Sequence, residues 1–300
     1  MKKLPLYLKG PAQFPSAQLR SAGTLVACRA RVAVLAILAL LLSLAATLPS
    51  VSEAADTVFN STTVLRDEFA RLGGEGKLFV TGPVDPYLPE TVAVAGAFAL
   101  SFLYDKDVRS DLAANRSRTL TRATDAGSTA GDPYLHLGVA ALLYGAGALA
   151  DQPRLMRIGE ELGEALILAD ATTLVLKDSL GRARPLTGRD NTSFRPFQFK
   201  DNYDSLPSMH TASSFAVAHV LASETQSLPV KILCYAGAGY VGFSRLYQGK
   251  HWTSDVVLAA AIGELAGNAV TRYRALPPGK VTIAPMMSDG VPTLALLGRF

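Results

Sequence analysis

Long apolar runs alternate with short polar breaks along this chain, and the runs have the length of helices, not of strands. Asn60-Ser61-Thr62 suits the start of a helix that Gly73-Gly74 is expected to end. Residues 75–89, with two glycines and three prolines, read as loop. Residues 90–104 form a compact apolar helix, and 108–123 an amphipathic one. A loop at 125–132 precedes a nearly uncharged helix over 133–150 and a long helix over 154–176. Residues 177–206 are polar and irregular, and helices resume over 208–223, 229–245 and 252–274. Near the C-terminus, Ser288-Asp289-Gly290 offers a turn between two short apolar runs, as in a hairpin. The pattern predicts an all-α fold: one helical domain over 56–300 with its core over about 130–275.

The N-terminal part differs. Lys2, Lys3, Lys9, Arg20, Arg29 and Arg31 precede an uncharged apolar run from Val32 to Ala46, and small residues follow up to Ala54-Ala55. That order matches a secretory signal peptide over residues 1–55 and implies export, to the periplasm in a Gram-negative bacterium. An uncleaved anchor is the alternative, because extending the run to Leu48 gives 17 residues, near the lower limit for a span. Apolar residues make up 49% of the chain and charged ones 18%, which excludes intrinsic disorder. The formal charge of +4 resides in the leader: residues 56–300 hold 23 basic and 24 acidic residues, so nothing favours nucleic acid as a partner. Cys28 falls in the leader, leaving Cys234 without a disulfide partner in the processed chain. No segment of that chain gives 18 uninterrupted apolar residues, and the nearest, 134–150, includes His136, which favours buried core helices over membrane spans.

Three segments carry chemistry. Asp255 lies four residues after His251, and on a helix that spacing puts both on one face. A carboxylate bonded to one ring nitrogen leaves the other free as a nucleophile or base, although such a pair by itself is usually structural. Pro207-Ser208-Met209-His210 has the look of a helix start, where free backbone amides attract anions. Lys177 and Arg184 frame a basic cluster after the long helix, and guanidinium forks suit phosphate oxygens.

Taken together, Lys177 to Arg184-Pro185, Pro207-Ser208-Met209-His210, and Ser244-Arg245 to His251 to Asp255 resemble the signature of the type-2 phosphatidic acid phosphatase superfamily. That superfamily includes bacterial class A acid phosphatases and vanadium haloperoxidases. Order and spacing agree throughout, with Met209 in place of the usual glycine. The resemblance implies that His251 attacks phosphorus to form a phosphohistidine while Asp255 orients it. His210 then protonates the leaving oxygen, and Lys177, Arg184, Arg245 and the Ser208 hydroxyl hold the phosphoryl oxygens. It further implies no metal or other cofactor, with vanadate binding as a phosphate mimic. The substrate class is a phosphate monoester, a lipid phosphate or a pyrophosphate, with association at a membrane surface. A vanadate-dependent haloperoxidase and an exported binding protein with a vestigial site are the alternatives.

The remaining candidates carry blander readings. His136 and His219 are read as structural, and Trp252 as a packing residue beside the site. The stretch 187–204, with Phe194, Phe197 and Phe199, is either a loop facing substrate, which its length and place between two motifs favour, or a plain surface connection.

Overall fold

The computed structural model describes residues 62–276, 282–288 and 291–297. The expected signal peptide or anchor, and Cys28 with it, lies outside the described residues. Among the described residues eight α-helices follow one another: α1 (Thr62–Thr81), α2 (Leu88–Ala114), α3 (Arg118–Ala130), α4 (Pro133–Leu149), α5 (Pro153–Leu180), α6 (Met209–Ser223), α7 (Leu228–Tyr247) and α8 (Thr253–Ala275). Two strands, β1 (Thr282–Ser288) and β2 (Val291–Leu297), then pair antiparallel. The helical part is the all-α bundle that the patterning predicts.

Two boundaries differ from that pattern. Gly73-Gly74 does not end α1. A Cβ on Gly74 would stand 2.2 Å from the Tyr273 ring, so this glycine lets α1 approach α8 closely and does not terminate a helix. The helices expected over 90–104 and 108–123 divide elsewhere, because α2 runs on to Ala114 and α3 occupies the loop expected at 125–132. The charged Asp105-Lys106-Asp107 does not interrupt α2, since Asp105 is buried and bonded to Arg182. The break falls at Ser117, whose hydroxyl accepts the Leu120 N–H and caps α3.

Helix α6 sits at the centre, packed on α5, α7 and α8, while α8 also meets α1, α2 and α5. Small side chains make this possible. Ala165, Ala169, Ala212, Ala216, Ala259 and Ala266 are buried in the core with Leu162, Leu166, Val220, Ile262 and Val270. Gly263 completes the seam, because a Cβ there would lie 2.1 Å from the Ala212 carbonyl.

The outer surface is less polar than a core-only assignment of the apolar helices predicts. Leu103, Tyr134 and Leu233 are 74%, 84% and 72% exposed. Among the described residues, no helix is long and apolar enough to cross a membrane. Away from the motif residues, Arg71 and Arg274 both bind Glu160 and Glu164, which lie in the N-terminal half of α5. Beside them the Glu75 carboxyl is fully buried and pushed up to about 8, by burial first and then by the charge on Glu164.

Candidate active site

Four helix ends converge here: the C-termini of α5 and α7 and the N-termini of α6 and α8. The first supplies Lys177, in the last turn of α5, and Gly181 ends that helix in the left-handed region at φ 59°. Only glycine fits at this position, since a Cβ would overlap the Arg195 carbonyl oxygen at 1.8 Å. The reversal sends Arg182 inward and brings Arg184 back towards the bundle.

Asp204 organises the cations. Its carboxylate accepts from Arg184 Nε and Nη2 at 2.5 and 2.7 Å, and its carbonyl accepts from Lys177 Nζ at 2.5 Å. Arg184 keeps Nη1, and Lys177 two of its three N–H donors, for another acceptor. Arg245, in the last turn of α7, donates from Nη1 to Ser128 Oγ at 2.9 Å, while its buried Nε has no partner among the described residues. Lys177 and Arg245 are buried. Burial pulls Lys177 down to about 8, against the pull of Asp204, and Arg245 down to about 10, with Arg184 adding to the effect.

Ser208 is the buried N-cap of α6, and its hydroxyl accepts from Thr211 Oγ1 at 3.0 Å. The Ser208 side chain does not cap the first-turn amides of α6, and an uncapped helix start favours an anion. His210, also in that first turn, is pushed down to about 3 by burial and by Arg245, Lys177, His136 and Arg184. His136 thus belongs to the surroundings of His210. It stands in the first turn of α4, and its buried Nδ1 has no partner among the described residues. Sequence offered no sign of this, because 74 residues separate the two histidines.

His251 lies just before α8 and is only 3% exposed. Its Nδ1 does not bond Asp255 as the i,i+4 spacing suggests; the carboxylate is 3.8 Å away, whereas the Ser205 carbonyl oxygen is at 2.6 Å. A carbonyl can only accept, so Nδ1 carries the proton and Nε2 keeps its lone pair. Burial and the charges on Lys177, Arg184 and Arg245 hold the ring well below the ordinary imidazole range, and it is neutral. Asp255 is occupied otherwise: it accepts from Arg182 Nη1, Ser205 Oγ and the Trp252 N–H. Trp252 packs beside the site as expected, its indole N–H donating to the Ala183 carbonyl at 2.8 Å. His219 is tied to Glu264 and Thr271 in the body of the bundle, as a structural histidine.

The segment 187–204 carries exposed Phe194, Phe197 and Phe199, and the last two hold φ of 56° and 52°. Left-handed backbone is costly for a side chain with a Cβ, so the surrounding contacts must impose it. One of them is the Phe197 N–H bond to the Asp178 carbonyl at 2.7 Å. Met209 is partly exposed at the start of α6. Among the described residues, no group of three or more His, Cys, Asp or Glu side chains is arranged to hold a metal ion.

Residues 161–276 match the family model described as PAP2 superfamily. A lipid A 1-phosphatase of Porphyromonas gingivalis is 34% identical over 114 residues, which are 37% of this chain and 22% of that protein. The alignment therefore spans about a fifth of that relative. Among solved structures, Aquifex aeolicus LpxE has a TM-score of 0.43 at 24% identity, over 56% of this chain and 95% of that one. A transmembrane PAP2-type phosphatidylglycerolphosphate phosphatase from Bacillus subtilis has a TM-score of 0.46 at 19% identity, over 61% and 95%. Lys177, Arg184, Ser208, His210, Arg245, His251 and Asp255 all fall inside the segment that is similar to the PAP2 superfamily.

Proposed function

We propose that this protein is a phosphatase that moves the phosphoryl group of a lipid phosphate first to His251 Nε2 and then to water, without a metal. The observation that carries this reading is the state of His251: neutral, its Nδ1–H committed to the Ser205 carbonyl, its Nε2 lone pair available in the field of three cations.

Phosphoryl transfer asks for positioning and charge stabilisation more than for covalent help. Lys177, Arg184 and Arg245 supply that charge from a largely buried setting, where each interaction is screened less than in water. Nε2 attacks phosphorus and the ester oxygen leaves. His210, which gains a proton once the phosphoryl dianion offsets the neighbouring cations, passes that proton to the leaving oxygen. Neutral His210 then takes a proton from water as it attacks the phosphohistidine, and free His251 is regenerated.

A lipid substrate is supported by the similarity to the Porphyromonas gingivalis lipid A 1-phosphatase and by the exposed apolar side chains of α2, α4 and α7. Exposed patches of this kind accompany membrane contact. The basic stretch and apolar run ahead of residue 56 support export. The test is phosphate release from a panel of soluble esters and lipid phosphates, with and without a chelator. Release that survives chelation and disappears in His251→Ala is the expected result. Wild-type turnover by His251→Ala, or loss on chelation, refutes the reading.

A further inference from the structure

A buried polar cluster connected to the nucleophile draws on a helix outside the family match. Its centre is Arg182, which is fully buried. Nη1 donates to Asp255 Oδ1 at 2.5 Å and to Ser254 Oγ at 2.7 Å, Nη2 donates to Asp105 Oδ2 at 2.6 Å, and Nε donates to the Asn191 carbonyl at 2.8 Å. The guanidinium also faces the Phe102 ring, 4.7 Å from its centroid. Asp105 comes from α2, in the part of the chain before residue 161. It reaches across to the start of α8, where Oδ1 accepts the Ser254 N–H at 2.9 Å and Oδ2 accepts the Ser254 hydroxyl at 2.7 Å.

A helix start normally draws its capping acceptor from the residue just before it. Here Trp252 holds that position and offers no side-chain oxygen, so α8 is capped by Asp255 on its own chain segment and by Asp105 from another helix. The contacts continue to the imidazole. Asp255 Oδ2 accepts from Ser205 Oγ at 2.5 Å, the Ser205 N–H donates to the Arg182 carbonyl at 3.0 Å, and the Ser205 carbonyl accepts from His251 Nδ1 at 2.6 Å. Asp105, Arg182, Asp255, Ser205 and His251 therefore form one continuous path.

We infer that Asp105 is a positioning residue for the reaction, holding His251 in the Nδ1–H tautomer and at its attack angle through Arg182, Asp255 and Ser205. Two carboxyl groups share the one Arg182 guanidinium, and burial pushes Asp255 up while Arg182 holds it down. Lys177, Arg184 and Arg245, by contrast, strip the imidazole of its basicity. Replacing Asp105 by its amide keeps the shape and removes the charge. An amide nitrogen would also face the Arg182 and Ser254 donors, so the path loosens at its first link.

This inference rests on the phosphatase reading, and the experiment separates the two. In the full chain, Asp105→Asn is expected to lower kcat about 100-fold, the scale of a misplaced reacting group, with KM and sulfate affinity within about twofold. The acid limb of the kcat/KM profile should move to lower pH, because a ring that has lost a nearby negative charge is harder to protonate. Ser254→Ala, a milder lesion of the same link, should cost kcat about tenfold with KM unchanged. An unchanged kcat in both variants overturns the inference. So does a loss of kcat and sulfate affinity in step with a fall in Tm, which marks Asp105 as merely structural. If the wild-type chain releases no phosphate from any ester, the functional reading fails, and ¹⁵N spectra of the His251 ring decide the inference alone. A single Nδ1–H tautomer in the wild type that becomes mixed in Asp105→Asn supports it; an unchanged tautomer overturns it.

Discussion

Anion binding should make His210 take up a proton. In the free site, burial and four neighbouring cationic or protonatable groups push this ring down to about 3, so at pH 5 it is neutral and cannot serve as an acid. Returning it to the ordinary value of 6.5 requires about 5 kcal/mol of favourable interaction with the bound anion, at about 1.4 kcal/mol per tenfold change in proton affinity. Two unit charges 4 Å apart interact by about 4 kcal/mol at an effective dielectric constant of 20, and a tetrahedral dianion brings two negative charges. The available energy therefore meets the requirement. Sulfate is a suitable probe because it stays a dianion across the working range, so any proton taken up belongs to the protein. Calorimetric titration at pH 5 in buffers of different ionisation enthalpy should show about one proton bound per sulfate. The uptake should vanish in His210→Asn and persist in His251→Asn. No uptake at pH 5 refutes the reasoning. Uptake that disappears only in His251→Asn would refute the assignment of acid and nucleophile.

Two further outcomes follow from the scaffold. Glu75 is pushed up to about 8 in the folded chain against 4.5 as its unperturbed value, so between those limits the folded state binds more protons than the unfolded one. Stability is then fully present below about pH 4.5 and is lost as pH rises towards 8, by at most about 1.4 kcal/mol per pH unit. Urea unfolding from pH 5 to pH 8 should show this slope in the wild type, and a flatter one in Glu75→Gln; equal slopes contradict it. Gly181→Ala should cost at least about 2 kcal/mol, from the left-handed φ and the overlap with the Arg195 carbonyl. Because the same turn aims Arg182 and Arg184, phosphate release should fall as well. Denaturant midpoints together with activity check both, and a stable, active variant would contradict the turn's role.

Much of the bundle was legible because helical periodicity is a local property. Residues 133–150, 208–223 and 252–274 announced themselves through apolar runs bounded by Pro, Ser or Arg. The breaks were less legible. Gly73-Gly74 carries the same local signal whether it stops a helix or admits a neighbour, and only the Tyr273 ring distinguishes the two. Asp105-Lys106-Asp107 looked like an interruption, and burial of Asp105 against Arg182 made it part of a helix. The apolar faces of α2 and α4 were expected in the core, yet part of each faces outward, since composition reports affinity for apolar surroundings and not which surroundings are present.

What the sequence determined by itself was the set of chemical groups: Lys177, Arg184, Ser208, His210, Arg245 and His251 at spacings that helix starts and ends can bring into one anion-binding place. Their roles depended on contacts between distant residues. The spacing of His251 and Asp255 pointed to a direct bond, whereas the structure gives the ring to the Ser205 carbonyl, 46 residues away, and Asp255 to Arg182, 73 residues away. Asp105, 149 residues before Ser254, had no sequence signal at all. Short-range spacing constrains which side chains share a helix face. Which partner each buried polar group finds is decided by desolvation, because leaving an enclosed donor or acceptor unpaired is costly and the packing determines what comes within reach.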